Sequence, residues 1–376
     1  MKIAVNTRLL LKDKLEGIGW FSYESLRRIT TQHPEHEFYF IFDRKFSDEF
    51  IFSENVIPEI LFPQARHPFL YCWWFERSIP KLLKRLQPDL FLSPDGFIPV
   101  HPKVKTLAVF HDLNFEHYPE DLPLLTRKYY RYYFPKFAQN ADRIATVSEY
   151  SRQDIINQYD VPAEKIDVVY DGASEAFHPL TSEEKQLTRM HYTDGRPYFL
   201  FIGSLHPRKN LANLFRAFDL FKKANPSEVQ LVIVGARKWW TSEIDRAFQK
   251  MNFSDDVIFT GRLNADHLHM VLGSALGLTY VSYFEGFGIP IVEAFRCGTP
   301  VITSNVTSMP EVAGEAALLV NPFDPESIAL AMYKIHQYET LRNELGERGY
   351  QRKDLFTWQK TADRLWNSIE KTINAG

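Results

Sequence analysis

The chain has 376 residues, which at roughly 100–200 residues per domain predicts two or three domains. Its 44 Lys and Arg against 47 Asp and Glu leave a net charge of −3, with 24% charged and 45% hydrophobic residues. That balance excludes a disordered chain and a protein held to nucleic acid by bulk positive charge. The unusual number is the 15% aromatic content, 30 Phe and 18 Tyr among it. Aromatics bury large areas, so substantial cores are expected, with rings left over for ligands or a membrane surface.

The first residues, Met1–Thr7, read as a short β-like run and not as the apolar stretch and small-residue cleavage site of a signal peptide. Further strands are expected at Glu37–Phe42, Asp89–Ser93, Lys105–Phe110, Arg143–Val147 and Lys165–Tyr170, alternating with helices over Trp20–Thr30, Tyr71–Leu86, Leu122–Gln139 and Glu149–Gln158. Thr106–Phe110 is mostly apolar instead of alternating, as expected of a parallel sheet covered by helices on both faces. After a polar, weakly periodic stretch at Ala173–Arg196 the pattern restarts. Strands are expected at Tyr198–Ile202, Val229–Val234, Asp256–Thr260, Gly277–Val281, Pro300–Thr303 and Ala316–Val320, separated by helices starting near Asn210, Thr241, Asn264, Ile289 and Pro325. This alternation predicts an α/β protein of two doubly wound domains, 1–180 and 190–350, with a tail helix over 356–376. In such folds a ligand lies beyond the carboxyl ends of the strands.

The two cysteines, Cys72 and Cys297, fall in different halves and build neither a disulfide framework nor a Cys-based metal site. No run of 18 apolar residues occurs. A cytoplasmic protein is therefore expected.

Four segments can carry chemistry. Gly17-Ile18-Gly19-Trp20 opens the first helix through a two-glycine loop. Val109-Phe110-His111-Asp112 places His111 at the carboxyl end of a buried-looking strand, where Asp112 either orients its ring or caps the next segment. Phe201-Ile202-Gly203-Ser204-Leu205-His206-Pro207-Arg208-Lys209-Asn210 puts two cations at the mouth of a helix; they oppose the local dipole and are better explained by an anionic ligand, although a solvated basic turn has the same pattern. Phe284-Glu285-Gly286-Phe287-Gly288-Ile289-Pro290-Ile291-Val292-Glu293-Ala294 runs from a strand into a helix. Its glycines allow backbone amides to approach an anion at the helix N-terminus. With Glu285 on the loop and Glu293 on the helix, the two carboxylates can bracket an elongated ligand with hydroxyls at both ends, such as a nucleotide sugar. The alternative is an ordinary strand–turn–helix with a surface Glu and a core-edge Glu.

Neither Gly-x-Gly-x-x-Gly nor Gly-x4-Gly-Lys-Ser/Thr occurs, which argues against a dehydrogenase or a P-loop NTPase. Asp-x-Asp is also missing, so no metal is expected. The stretch Arg127-Lys128-Tyr129-Tyr130-Arg131-Tyr132-Tyr133, together with Arg77, Lys81, Lys84 and Arg85 beside Trp73 and Trp74, reads either as a membrane-surface element or as helices with solvated basic faces.

The segment from Glu285 to Ala294, followed by Gly298-Thr299-Pro300-Val301-Ile302, resembles the Glu-x7-Glu signature of the group-1 (family 4) retaining glycosyltransferases. The resemblance implies a GT-B fold, two Rossmann-like domains facing a central cleft, with the C-terminal helix crossing back to the first. It implies that Glu285 contacts the donor sugar, Glu293 the nucleotide ribose, and the Phe287 and Gly288 backbone the distal phosphate. Lys209 matches the family's diphosphate Lys. Ser204 stands where the family has Arg, and Asn210 where it has Gly, so Arg208 is the residue expected to supply the missing guanidinium. Gly17 and Gly19 resemble the family's N-terminal loop near phosphate and acceptor, and His111 its histidine near the sugar hydroxyls.

The function expected is a retaining, metal-independent hexosyltransferase that uses a GDP- or UDP-linked sugar as donor and no cofactor. The variant around Arg208 resembles O-antigen-type mannosyltransferases. The acceptor is expected to be a glycan or lipid-linked hydroxyl in polysaccharide synthesis, with peripheral association on the inner face of the membrane. The alternatives are a nucleotide-sugar epimerase and a non-catalytic nucleotide-sugar-binding protein.

Overall fold

The structure is a computed structural model and describes residues 1–237 and 240–375. It divides into two compact units, one made of residues 1–172 and the chain from Trp358 onward, the other of Ala173–Thr357.

The first unit carries seven parallel strands: β1 (Lys2–Asn6), β2 (Glu37–Phe42), β3 (Val56–Ile60), β4 (Leu90–Ser93), β5 (Lys105–Phe110), β6 (Arg143–Thr146) and β7 (Ile166–Val168), in the order β3-β2-β1-β4-β5-β6-β7. Their inner residues, Ile3 to Val5 and Leu107 to Val109 among them, are fully buried, as a sheet covered on both faces requires. The second unit repeats the plan with β8 (Tyr198–Ile202), β9 (Gln230–Val234), β10 (Val257–Gly261), β11 (Gly277–Tyr280), β12 (Val301–Ser304) and β13 (Ala317–Val320), in the order β10-β9-β8-β11-β12-β13. In each sheet the strand order reverses beside the first strand, between β1 and β4 and between β8 and β11. Those are the switch points beyond whose carboxyl ends such sheets bind ligands.

Several elements depart from the sequence expectation, the helices Met309–Ala313 and Glu339–Arg352 among them, and three departures have a plain physical cause. β3, Val-Ile-Pro-Glu-Ile, was not among the expected strands; although Pro58 cannot donate to a ladder, the strand forms because β3 is the sheet edge, where one side needs no donor. The single helix expected over Tyr71–Leu86 is Pro68–Trp73, a π-type turn at Trp74–Ser78 and a second helix Ile79–Leu86. Pro80 has no N–H for the regular ladder, and the wider turn before it absorbs the mismatch. The polar stretch after Ala173 contains a helix, Ser182–Thr193, closed by a capping box between Thr181 and Glu184. Its apolar signal is weak because Leu187 and Met190 lie exposed.

The last helix, Trp358–Asn374, packs on the first unit. Trp366 stacks on His33 at 3.6 Å between ring centroids, and Lys105 Nζ donates to Ile373 O at 2.7 Å. Leu365 and Ile369 are fully buried. Ile369→Ala is expected to cost about 3 kcal/mol, the usual scale for a buried aliphatic truncation, read as a loss of stability of the first unit in denaturant titration.

Candidate functional site

In the second unit, Gly203 directly follows β8 and Gly235 directly follows β9. A Cβ on Gly235 would lie 1.9 Å from Gly203 O, so only glycine lets the two strand ends meet. Beyond Gly203 the turn Pro207–Lys209 leads into helix Leu211–Ala224 through Asn210, which sits at φ +63°. Asparagine tolerates that left-handed conformation, which accounts for Asn at a position where the resembled pattern has Gly. Its amide also donates to Val281 O at 3.0 Å and Pro322 O at 2.6 Å, tying the turn to the segments after β11 and after β13.

That segment carries Glu285, which is buried. Lys209 Nζ reaches Glu285 Oε1 at 2.5 Å and Arg208 Nη1 reaches Oε2 at 2.5 Å; Arg208 Nη1 also donates to Phe284 O at 3.1 Å. Lys209 Nζ further donates to the Tyr280 hydroxyl at 2.5 Å. Burial alone would raise the Glu285 pKa, but Arg208 and Lys209 overcome it and hold the carboxyl down at about 2. Burial, reinforced by the Glu285 charge, holds Tyr280 well above the usual phenol range. Ser308 Oγ donates to Glu285 O at 2.9 Å and fixes the loop from the other side. Ser204 is exposed. The guanidinium beside Lys209 therefore comes from Arg208.

Gly288 follows at φ +105° and starts helix Ile289–Arg296, with Pro290 in its first turn. A Cβ on Gly288 would meet only the flexible end of Met309 at 2.9 Å, so it is the left-handed conformation that favours glycine there. Phe287 is buried, its ring edge-on to Phe356. The Glu285–Gly288 loop thus lies at the positive end of the helix. Glu293 sits half-buried in the second turn, where burial pushes its carboxyl up to about 7.

In the first unit, His111 follows β5. Its Nε2 lies 2.8 Å from Pro94 O, and since a carbonyl only accepts, Nε2 carries the proton and Nδ1 is left as an acceptor. Burial lowers its pKa, so the ring is neutral. The ring packs edge-on against Phe21 of helix Gly17–Gln32 at 4.9 Å. At the start of that helix, a Cβ on Gly19 would lie 3.2 Å from Leu9 O, while one on Gly17 would meet nothing within 4 Å. Asp112 accepts from Asn114 N at 3.0 Å, the capping alternative. His117 is taken up by Asp154 at 2.8 Å.

Sequence reasoning missed Tyr280 and Ser308, whose roles depend on loops meeting in space. A tyrosine closing a strand just before the Glu285 segment was the available signal. Among the described residues, His33, Glu35 and His36 form a group able to collect a metal ion, and it shares no residue with the Glu285 cluster.

Residues 183–352 match the family model of glycosyl transferases group 1, and residues 21–177 match that of glycosyltransferase family 4. The chain belongs to the group-1, family-4 glycosyltransferases. Over its whole length this glycosyltransferase is 28% identical to O-antigen chain mannosyltransferase B of Escherichia coli, covering 99% of that protein. It is 28% identical to O-antigen chain mannosyltransferase RfbU of Salmonella typhimurium over 72% of this chain and 70% of the other. Among solved structures, sucrose-phosphate synthase from Thermosynechococcus elongatus matches with a TM-score of 0.78 at 19% identity, covering both chains fully. WaaG, a glycosyltransferase involved in lipopolysaccharide biosynthesis, matches with a TM-score of 0.76 at 15% identity, again over both full chains. The fold is GT-B, two Rossmann-like domains. Among the described residues no helix is long and apolar enough to cross a membrane.

The raised Glu293 pKa gives a signed pH dependence. Between its ordinary value and about 7 the folded chain keeps a proton that the unfolded chain releases, so this group's contribution to stability falls as pH rises through that window. Glu293→Gln removes the effect. Its melting temperature relative to the parent is expected to rise from pH 5 to pH 8 without ligand; a difference independent of pH would contradict the assignment.

Proposed function

We propose that this glycosyltransferase moves a hexose, mannose being the sugar its relatives' names favour, from a GDP- or UDP-linked donor to a hydroxyl of a glycan or lipid-linked acceptor in cell-surface polysaccharide synthesis. The observation that carries the reading is the convergence of Arg208 and Lys209 on one buried carboxylate at the switch point of the second sheet. Two cations held there are placed for a diphosphate, and the helix beginning at Ile289 adds its positive end. When the diphosphate takes over the cations, Glu285 is released to accept sugar hydroxyls. Glu293 is placed on the family's pattern at the ribose, and a carboxyl poised near neutrality can pair with its hydroxyls. His111 offers Nδ1 to a sugar hydroxyl, and Gly17 and Gly19, in the first turn of helix Gly17–Gln32, are placed by the family's pattern near the acceptor and phosphate.

The reaction proceeds with retention and without a metal or cofactor. The acceptor oxygen bonds to the anomeric carbon on the face from which the nucleotide leaves. The bond from that carbon to phosphate oxygen breaks, and the acceptor proton passes to the departing diphosphate. Lys209 and Arg208 stabilise the developing charge, electrostatics preorganised in a buried setting.

Release of nucleoside diphosphate with donor and acceptor in EDTA tests this reading. Lys209→Ala, Arg208→Ala and Glu285→Ala are each expected to lower turnover about 100-fold, and Ser204→Ala to leave it unchanged. Unchanged turnover in the three variants would refute the site. Epimerised donor formed without acceptor would favour the epimerase, and binding without turnover the inert protein.

The surface of the first unit favours a lipid-carried acceptor. Phe69 is 73% and Trp73 61% exposed, with Leu124, Leu125 and Tyr132 also exposed. Exposed Arg77 lies on the π-type turn that follows Trp73, Lys81 and Lys84 on the helix after it, and Lys128 on the helix Leu124–Asn140, whose Tyr133 meets Cys72 at 3.3 Å. Exposed aromatics with cations suit an anionic membrane surface. The protein is expected to sediment with vesicles containing anionic phospholipid and not with purely zwitterionic ones, and Trp73→Ala/Tyr132→Ala to reduce that binding. Equal sedimentation with both vesicles would count against it.

A further inference from the structure

The switch point of the first sheet holds a polar network that the reaction as described does not use. Arg8 lies two residues beyond β1 and Asp95 two beyond β4, both buried. Arg8 Nε meets Asp95 Oδ2 at 2.6 Å and Arg8 Nη1 donates to Ala65 O at 3.3 Å. Its guanidinium carbon sits 4.5 Å from the Phe97 ring centre and 5.1 Å from that of Tyr71. Asn6 Nδ2 donates to Asp95 Oδ1 at 2.8 Å and to Ser93 Oγ at 3.0 Å. Arg8 is thus tied through Nε to the turn after β4 and through Nη1 to the backbone at Ala65, with its guanidinium against aromatic rings.

A buried ion pair adds little stability over apolar residues of similar volume, because desolvation offsets its attraction. Stability therefore does not explain it. What the network does is fix one turn. Ser93 and Asp95 are both tied to the end of β1, Gly96 N donates to Ser93 O at 3.2 Å, and Phe97 N to Asp95 Oδ1 at 3.3 Å. Gly96, at φ +83°, presses on β5 so closely that a Cβ there would lie 2.9 Å from Phe110 and 3.1 Å from Val109 O. Between the two pinned residues stands Pro94, whose carbonyl takes the His111 Nε2 proton at 2.8 Å.

We infer that Arg8 and Asp95 are positioning residues for His111, fixing the Ser93–Phe97 turn so that the Pro94 carbonyl holds the imidazole in the Nε2–H tautomer and presents Nδ1 as a hydroxyl acceptor. The last step, acceptance from the transferred sugar, rests on the transferase reading; the link from the ion pair to the tautomer does not.

The test is nitrogen NMR of 15N-histidine protein, with the His111 resonances assigned through His111→Gln, beside kinetics. The wild type is expected to show the Nε2–H form. Arg8→Met/Asp95→Leu, which removes both charges together, is expected to stay folded with a melting temperature within about 5 °C of the parent. It should show mixed tautomers at His111, with kcat lowered at least about ten-fold and donor KM changed less than about two-fold. A double variant that keeps the Nε2–H form and wild-type kcat overturns the proposal. So does one that loses stability while its tautomer stays pure. Should it fail to fold, Gly96→Ala displaces the turn with the charges intact and is expected to mix the tautomers; a pure tautomer there overturns the proposal too. A wild type without transferase activity refutes the transferase reading, while the tautomer comparison still decides the link from Arg8 and Asp95 to His111.

Discussion

The Glu285 carboxylate, buried between Arg208 and Lys209, is the interaction on which the second unit's site depends. A lone buried carboxylate would be driven towards protonation, and two adjacent cations at a helix mouth would repel each other and oppose the dipole. Each side makes the other tolerable. The pair also joins the loop after β8 to the loop after β11, which are neighbours in the sheet but distant in the chain. Asn210 repeats that link through Val281 O and adds one to the loop after β13 through Pro322 O. On the proposed reading, an incoming diphosphate would compete with the Glu285 carboxylate for these two cations.

The two units place charge at equivalent points of their sheets and use it differently. At the β8–β11 switch point the cations sit at loop ends, partnered by the Glu285 carboxylate. At the β1–β4 switch point Arg8, paired with Asp95, lies against the Phe97 and Tyr71 rings, and the pair holds a turn of the fold. One arrangement suits binding and the other suits holding a neutral His111 in one orientation. The near balance of charge over the whole chain fits both, since neither needs a field extending over the surface.

Much of this was legible in the sequence. Buried parallel strands are continuous apolar runs, so twelve of the expected strands recur nearly in place, and Glu285, Arg208 and Lys209, expected at one ligand, meet. What was not legible has physical causes. The edge strand β3 carries Pro58, whose missing donor matters only where a neighbour exists on that side. The Pro80 π-type turn has no periodic signature. The pairing of Arg8 with Asp95 spans 87 positions and is set by strand order, which local patterns do not encode. The aromatic excess divides in two: Tyr129, Phe134 and Phe137 fill the core, while Trp73 and Tyr132 face outward.

The central claim is that Arg208 and Lys209 exchange Glu285 for a donor diphosphate without a metal. Calorimetric titration of GDP and UDP into the protein in EDTA, compared with Lys209→Met, tests it most directly. Binding of at least one nucleotide in EDTA is expected, weakened about 50-fold in Lys209→Met, the scale of a lost charge-assisted hydrogen bond. Equal affinity in the two proteins, or wild-type binding that vanishes in EDTA, would contradict the account.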